Sequence, residues 1–417
     1  MSVVPDPPPG AAARLGGTVV RAWRAVRDTV TPMGWVLVIL LVGGLVAGFA
    51  FGLVEALVVA VVAGLLLLFS LPFLVGAARY DIRFTLDRDR VIAGSRVTAD
   101  VLVRNVGRRL ALPAVLDIPI GPGLVESLVP LLGAGAQHAD AIMIDAPRRG
   151  VIPIGPMMIS RGDPIGVLRR DLAWPQTETV YVHPVTAPLP PSSAGFVKDV
   201  EGQPTRRIVD SDLAFHAIRD YHPGDSRRHI HWKSTAKVGS LMVRQFEESR
   251  RARIAVVLDV LADAYADDDE FELGVSAATS VALQAVRDDR DVLMIASDVS
   301  ARGARTIAAL PTTTPKALLD ASCSIRLDPG AQRLEAVSRL AAQSFPELSI
   351  AFLVSGSGIA VDRLRRAVYA LPSTASAIVV RVEPGAPPAF RTTSDFTLLT
   401  IGALDDLAHL IARGALE

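Results

Sequence analysis

Cysteine is almost absent from this sequence of 417 residues, with Cys323 standing alone. One thiol excludes an intramolecular disulfide framework and any multi-cysteine zinc or iron-sulfur site, and it fits a reducing compartment. Net charge is also missing: Lys plus Arg and Asp plus Glu number 43 each. No global field therefore draws in nucleic acid, and any electrostatic function is local. Aromatic residues are scarce at 5%, so the 50% hydrophobic content is aliphatic. Three signatures are lacking as well: a nucleophile elbow, a phosphate-binding loop and a His-Glu-x-x-His string. What remains is a chain too apolar to be disordered (mean hydropathy +0.37) and long enough for two or three domains.

The aliphatic excess lies between Gly34 and Gly76, where Glu55 is the one ionisable residue. A hydrocarbon core takes about 20 helical residues, so the stretch predicts two spans, Gly34 to Leu53 and Ala56 to Gly76, with Glu55 at the turn. Without a basic or polar partner in either span, Glu55 makes a poor ion site, and a carrier is not expected. A cleaved signal peptide is the rival reading, but the first run starts beyond residue 30, is longer than an h-region and is followed at once by a second,. Arg14, Arg21, Arg24 and Arg27 precede the spans; Arg79, Arg83, Arg88 and Arg90 follow them. By the positive-inside tendency both flanks face the cytoplasm. The expectation is a two-pass protein of the inner, cytoplasmic membrane, in contact with membrane lipid, with a tail at 1–33, a helical hairpin at 34–76, and both termini and the soluble domains in the cytoplasm.

Residues 80–184 show short period-two runs such as Arg96 to Arg104 and Ala141 to Asp145, separated by turns such as Asn105-Val-Gly107. That pattern predicts an antiparallel β-sandwich. A Pro-rich linker and a polar motif fill 185–252. From Arg253 to Glu417, strand runs such as Ile254 to Asp259, Asp291 to Asp298 and Leu348 to Val354 alternate with helical periodicity at Phe271 to Arg287, Ile359 to Ala370 and Ala403 to Arg413. This predicts a mostly parallel sheet covered by helices. The fold class expected is α+β, multidomain and membrane-bound.

Between 212 and 250 the polar residues concentrate, with His216, His222, His229 and His231 among them. Pro223-Gly224-Asp225 predicts a tight turn in which Asp225 caps a helix from Ser226, with Arg227, Arg228 and Lys233 projecting. Three readings are open. In a structural latch, which is favoured, Tyr221 packs on Trp232 while Asp225 and Arg228 satisfy each other. The same residues could instead form a partner-recognition surface. In a catalytic reading, His229 and His231 bind metal, but their i, i+2 spacing places them on opposed sides of the helix expected here.

The strings Tyr221-His-Pro-Gly-Asp225, Arg228-His-Ile-His-Trp-Lys233, Thr235-Ala-Lys237 and Leu241-Met-Val-Arg-Gln-Phe-Glu-Glu248 resemble the bacterial family called domain of unknown function 58. Arg148 to Gly155 and Asp163-Pro-Ile-Gly-Val-Leu168 resemble its sandwich region; Ser226 departs from it, since many relatives carry an acid there. The resemblance implies paired N-terminal membrane helices, a von Willebrand factor A-like C-terminal domain, and a MoxR-type AAA+ ATPase as partner. Domains of the von Willebrand type often bind Mg²⁺ through Asp-x-Ser-x-Ser. Here Asp259 is followed by Leu261 and Asp263 at the serine positions, so a tight site is not expected, and Asp259 with Asp298 is at most a weak one. The run Asp267-Asp-Asp269 reads as a solvated loop.

The function these features predict is that of a noncatalytic, membrane-anchored adaptor, docking a MoxR-type ATPase in envelope assembly or maturation, with no cofactor and no nucleic acid. Its contacts are expected on the rim after Asp259, Asp298 and Val354. The alternatives are a hydrolase using the His-rich motif at 216–233 and a transporter-associated subunit.

Overall fold

The computed structural model describes residues 29–74, 80–191, 214–222, 225, 227–247, 253–299, 305–345 and 347–414. The chain divides into two compact units, Met1–Val182 and His183–Glu417.

In the first unit, α1 (Pro32–Phe51) and α2 (Val54–Leu74) form an antiparallel pair, each long and apolar enough to cross a membrane. Small residues let the two backbones approach. A Cβ added at Gly44 would lie 2.6 Å from the Ala56 carbonyl oxygen, and one at Gly48 would lie 2.4 Å from Leu57. Ala60 and Ala63 face the same seam and are buried. The four-residue spacing of Gly44 and Gly48 is a small-xxx-small pattern, which lets helix backbones pack closely,. Gly52, at φ 70°, ends α1 in the left-handed conformation that opens the turn,. Glu55 falls in the first turn of α2, where the helix dipole favours an acid,.

Ten strands follow: β1 (Tyr80–Leu86), β2 (Arg90–Ile92), β3 (Ser95–Asn105), β4 (Ala114–Ile120), β5 (Gly123–Val129), β6 (Gln137–Ala146), β7 (Gly150–Ile154), β8 (Met157–Gly162), β9 (Arg169–Trp174) and β10 (Glu178–His183). One sheet runs β1-β3-β6. The other runs β2-β10-β7-β4-β8-β9, with β5 paired to β4. Along β3 the residues Val97, Ala99, Val101 and Val103 are buried while their neighbours are more exposed. They share one core with Leu116, Ile118, Ile159 and Val180 of the second sheet, which is the sandwich that alternating patterning demands.

The loop 163–168 joins sandwich and helices. Asp163 accepts from the Leu168 amide at 2.6 Å and the Ile165 amide at 3.1 Å. The bent loop presents its carbonyls to Thr31, whose hydroxyl donates to Gly166 at 2.6 Å and whose amide donates to Val167 at 3.1 Å. Thr31 also accepts from the Gly34 amide, capping α1 with Pro32 behind it,. Burial raises the Asp163 pKa, but the amides of Leu168, Val167 and Ile165 and the Ser70 hydroxyl outweigh it, and the net shift is downward,. Val167, Leu168, Leu37 and Ala63 close over this joint.

In the second unit, β11 (Ala214–Asp220) and β12 (Met242–Glu247) form a two-stranded ribbon flanking a short helix, α3 (Trp232–Val238). Then come β13 (Arg253–Leu258), α4 (Asp268–Arg287), β14 (Asp291–Val299), β15 (Arg305–Leu310), α5 (Pro315–Ser322), α6 (Leu334–Ser344), β16 (Leu348–Ser355), α7 (Val361–Tyr369), β17 (Ser376–Val382), β18 (Ala389–Thr392), β19 (Thr397–Ile401) and α8 (Leu404–Gly414). The sheet order is β15-β14-β13-β16-β17-β19-β18, parallel except for the edge strands β15 and β18. Both faces of β13 are covered. Ile254, Val256 and Leu258 pack toward α4 and α8, and Ala255 and Val257 pack toward α6 and α7. That is why the strand reads as a continuous apolar run.

Two expectations are corrected. Part of the stretch expected as linker is core: Ala187 and Leu189 are buried with α4, and the Ala187 amide donates to Ser280 at 3.0 Å. The run Asp267 to Asp269 is a helix start, since Asp267 caps α4 by accepting from the Glu270 amide at 2.8 Å,.

Candidate functional site

The motif module is built on the β11-β12 ribbon. Between its strands the chain makes a short 3₁₀ turn at Arg227–His229 and then α3. The Tyr221 amide donates to Leu241 and the His231 amide to Met242, both at 2.8 Å, so the start of α3 is sewn to the ribbon's second strand. The Thr235 hydroxyl accepts from the Met242 amide at 3.0 Å, fixing the helix from its own middle.

Asp225 anchors the turn, with a partner other than the one the sequence pointed to. Arg219, at the end of β11, grips both its oxygens, at 2.8 and 2.7 Å. The His222 amide adds a third bond at 2.9 Å. The Arg219 guanidinium, helped by the His222 amide, pulls the Asp225 carboxyl down to about 2,. Asp225 therefore closes its own loop back onto β11 and does not pair with Arg228, which is exposed. Pro223, Gly224 and Ser226 lie outside the described residues.

This pairing separates Arg219 and Arg228 in role. Arg219→Ala should open the turn, seen as faster hydrogen exchange at the His222 and Asp225 amides and tryptic nicking nearby. Arg228→Ala should leave both unchanged. Equal effects would mean that the bidentate pair is not what holds the turn.

Trp232 is the second correction. Expected to pack with Tyr221, it is 67% exposed on α3. Arg227, Arg228, Lys233 and Lys237 are exposed around it, with Val238 and Leu241 adding apolar surface. No acidic residue occurs between Ser226 and Phe246. The module thus offers an aromatic set among cations. His231 is engaged through Nδ1 with the Ser234 hydroxyl at 2.8 Å, and His229 sits in the 3₁₀ turn. Among the described residues no group of three His, Cys, Asp or Glu is placed to hold a metal.

The second candidate, the end of β13, is sealed. Asp259 is 1% exposed. One oxygen accepts from the Leu261 amide at 3.1 Å and the other from the Ser355 hydroxyl at 2.9 Å. Burial pushes its carboxyl up to about 6, against the lowering pull of those two donors and of Arg363,. Asp263 is exposed beyond it. Glu270, also 1% exposed, bridges the amides of Ala266 and Ser357 and ties the start of α4 to the turn after β16. Nothing is described of the Asp298 side chain, so the weak Asp259–Asp298 pair lies partly outside the described residues. Sequence reasoning missed Ser355, because it comes from a strand 96 positions away.

Residues 217–311 match the family described as Protein of unknown function DUF58. The matched segment takes in the motif module and the α/β unit as far as β15, and it supports the family resemblance drawn from the motif strings. No curated protein matches the chain in sequence. Solved structures give only remote likeness. A CARDB domain from Pyrococcus furiosus is 14% identical over 25% of this chain and 93% of its own, with a TM-score of 0.20. A β-glucosidase from Listeria innocua is 10% identical over 25% of this chain and 16% of its own, with a TM-score of 0.19. An alkylpurine DNA glycosylase from Pseudomonas fluorescens is 13% identical over 23% of this chain and 30% of its own, with a TM-score of 0.17. At these scores none carries an argument about fold or activity.

Proposed function

We propose that this is a noncatalytic docking protein, anchored in the cytoplasmic membrane of a bacterium by α1 and α2, that presents the α3 face to a protein partner. The observation that carries the proposal is the uncovered Trp232 among Arg227, Arg228, Lys233 and Lys237. Leaving an indole in water forgoes the burial of a large apolar surface, and tryptophan and arginine are the residues that dominate protein interfaces. The partner is a MoxR-type AAA+ ATPase, on the strength of the family resemblance, and the process served is assembly or maturation of the envelope. That assignment is an analogy between relatives and not a property of the site.

The second unit is read as a von Willebrand factor A-like domain, supported by the parallel sheet with helices on both faces and by an acid at the end of β13. Its usual metal ring is incomplete here, since Leu261 brings no oxygen and Asp259 is already satisfied by protein donors,. Partner contact therefore runs through α3 and not through a shared ion.

Arginine-rich flanks on both sides of a hairpin with a two-residue turn support the reading that both termini face the cytoplasm,. A reporter fused after Glu417 should be active only in its cytoplasmic form. Activity on the outer side would overturn the orientation and the ATPase partnership together.

A further inference from the structure

The cations of the α3 face have no acid to answer them. None of Arg227, Arg228, Lys233 and Lys237 makes an ion pair among the described residues. The acids closest to them in the module are engaged elsewhere: Asp225 is gripped by Arg219, and Asp220 accepts from the Ser240 hydroxyl at 3.4 Å. We infer that the partner segment seated on this face is an acidic helix, with carboxylates one turn apart and an apolar side chain beside them. The inference rests on the docking role of α3 proposed above and names the chemistry of what docks there.

The outer side of α3 is defined by what holds its inner side. The Thr235 hydroxyl accepts from the Met242 amide at 3.0 Å and so faces the ribbon, with His231 and Ser234 joined to each other at 2.8 Å beside it. Trp232, Lys233, Ala236 and Lys237 remain on the other side, all exposed. Lys233 and Lys237 stand at i, i+4, where like charges are neighbours and destabilise a helix. In a helix of seven residues with no side-chain cap, nothing within α3 offsets that repulsion. Two carboxylates at the same spacing on a facing helix match the two lysines.

The apolar part of the face favours a protein segment over a polyphosphate. Ala236, one turn from Trp232, is too small to cover the indole, and Val238 and Leu241 extend the apolar surface at 62% and 44% exposure. These aliphatic groups offer no ring on which a base stacks. The chain as a whole, with 43 charges of each sign, provides no field to hold a long polyanion,.

The test uses the full chain in phosphatidylcholine nanodiscs and a rhodamine-labelled helical peptide whose glutamates repeat at i, i+4 among leucines, with binding read by anisotropy. The glutamate peptide should bind saturably and weaken as salt rises. Its glutamine counterpart should bind about five- to tenfold more weakly, the scale of two exposed ion pairs. Lys233→Glu combined with Lys237→Glu should lose the glutamate peptide and take up one with lysines at the same positions, as direct pairing requires. Both positions are exposed, so the variant should fold, and an unchanged melting curve checks it. No ATPase is present, so a failure here is distinct from a failure of the docking role, which the ATPase's own binding and its loss in Trp232→Ala decide. Equal binding of the glutamate and glutamine peptides, or a loss that the lysine peptide does not restore, would overturn the inference. So would a face that ignores the peptide and binds oligothymidylate or phosphatidylglycerol vesicles through the same lysines, since its anion would then be phosphate.

Discussion

Replacing Asp259 by Asn should stabilise the protein near pH 7.5 by about 2 to 3 kcal/mol and should do nothing below about pH 4, where both forms are neutral. In the folded chain this carboxyl is raised to about 6 by burial. Unfolded, it returns to the ordinary aspartate value. The folded state therefore holds the proton more tightly. That stabilisation is complete below the unfolded pKa and is lost as pH rises through about 6,. Above that pH the chain keeps a buried anion whose compensation is the Leu261 amide, the Ser355 hydroxyl and the field of Arg363, opposed by Glu335. Asparagine retains the oxygen for the Leu261 amide and turns an N–H toward Ser355. Chemical denaturation of both proteins from pH 4 to 8 measures the difference. A gap that stays constant with pH would show that Asp259 does not titrate in this range.

A larger structural loss is expected from Asp163→Ala. The carboxylate is the acceptor for the amides of Leu168 and Ile165, and its charge is further favoured by the Ser70 hydroxyl on α2. Each buried donor left unsatisfied costs about 1 to 3 kcal/mol, and a loop held by several such bonds loses them together. The consequence reaches α1, because the carbonyls of Gly166 and Val167 hold Thr31 only while the loop keeps its bend. Gly34 has no room to adjust, since a Cβ there would meet the Val167 oxygen at 2.4 Å. Hydrogen exchange on the full chain in detergent should show faster exchange at residues 31–37 and 165–168, together with a lower melting temperature. Unchanged exchange at Thr31 would mean that the loop is not what seats the helices against the sandwich.

How much of this was legible in the sequence depended on how local the cause is. Strand β3 declared itself, because alternation is a property of consecutive residues and Val97, Val101 and Val103 fall on one face,. The helix pair was legible from hydropathy, and its seam was available too, in the four-residue spacing of Gly44 and Gly48,. The α4 start was misread, because three adjacent acids look like a solvated loop until the Glu270 side chain is seen turning back to the Ala266 amide,. At the motif the residue types were right and their partners were not. Arg228 is the nearer to Asp225 in sequence, yet it is Arg219 at the end of β11 that reaches it. Ser355 on Asp259 was out of reach altogether, because strand order sets that contact and no spacing records it.

The central claim is that the α3 face docks a partner ATPase, and its most direct measurement is the affinity of the full chain, in nanodiscs, for a purified MoxR-type AAA+ ATPase from the same organism. The account predicts saturable binding that weakens with rising salt and falls by roughly thirtyfold or more in Trp232→Ala, the loss of a central aromatic anchor worth about 2 kcal/mol. Its melting curve should match that of the parent, because Trp232 already lies in solvent. Absence of binding, or binding that Trp232→Ala and salt leave unchanged, would contradict the account.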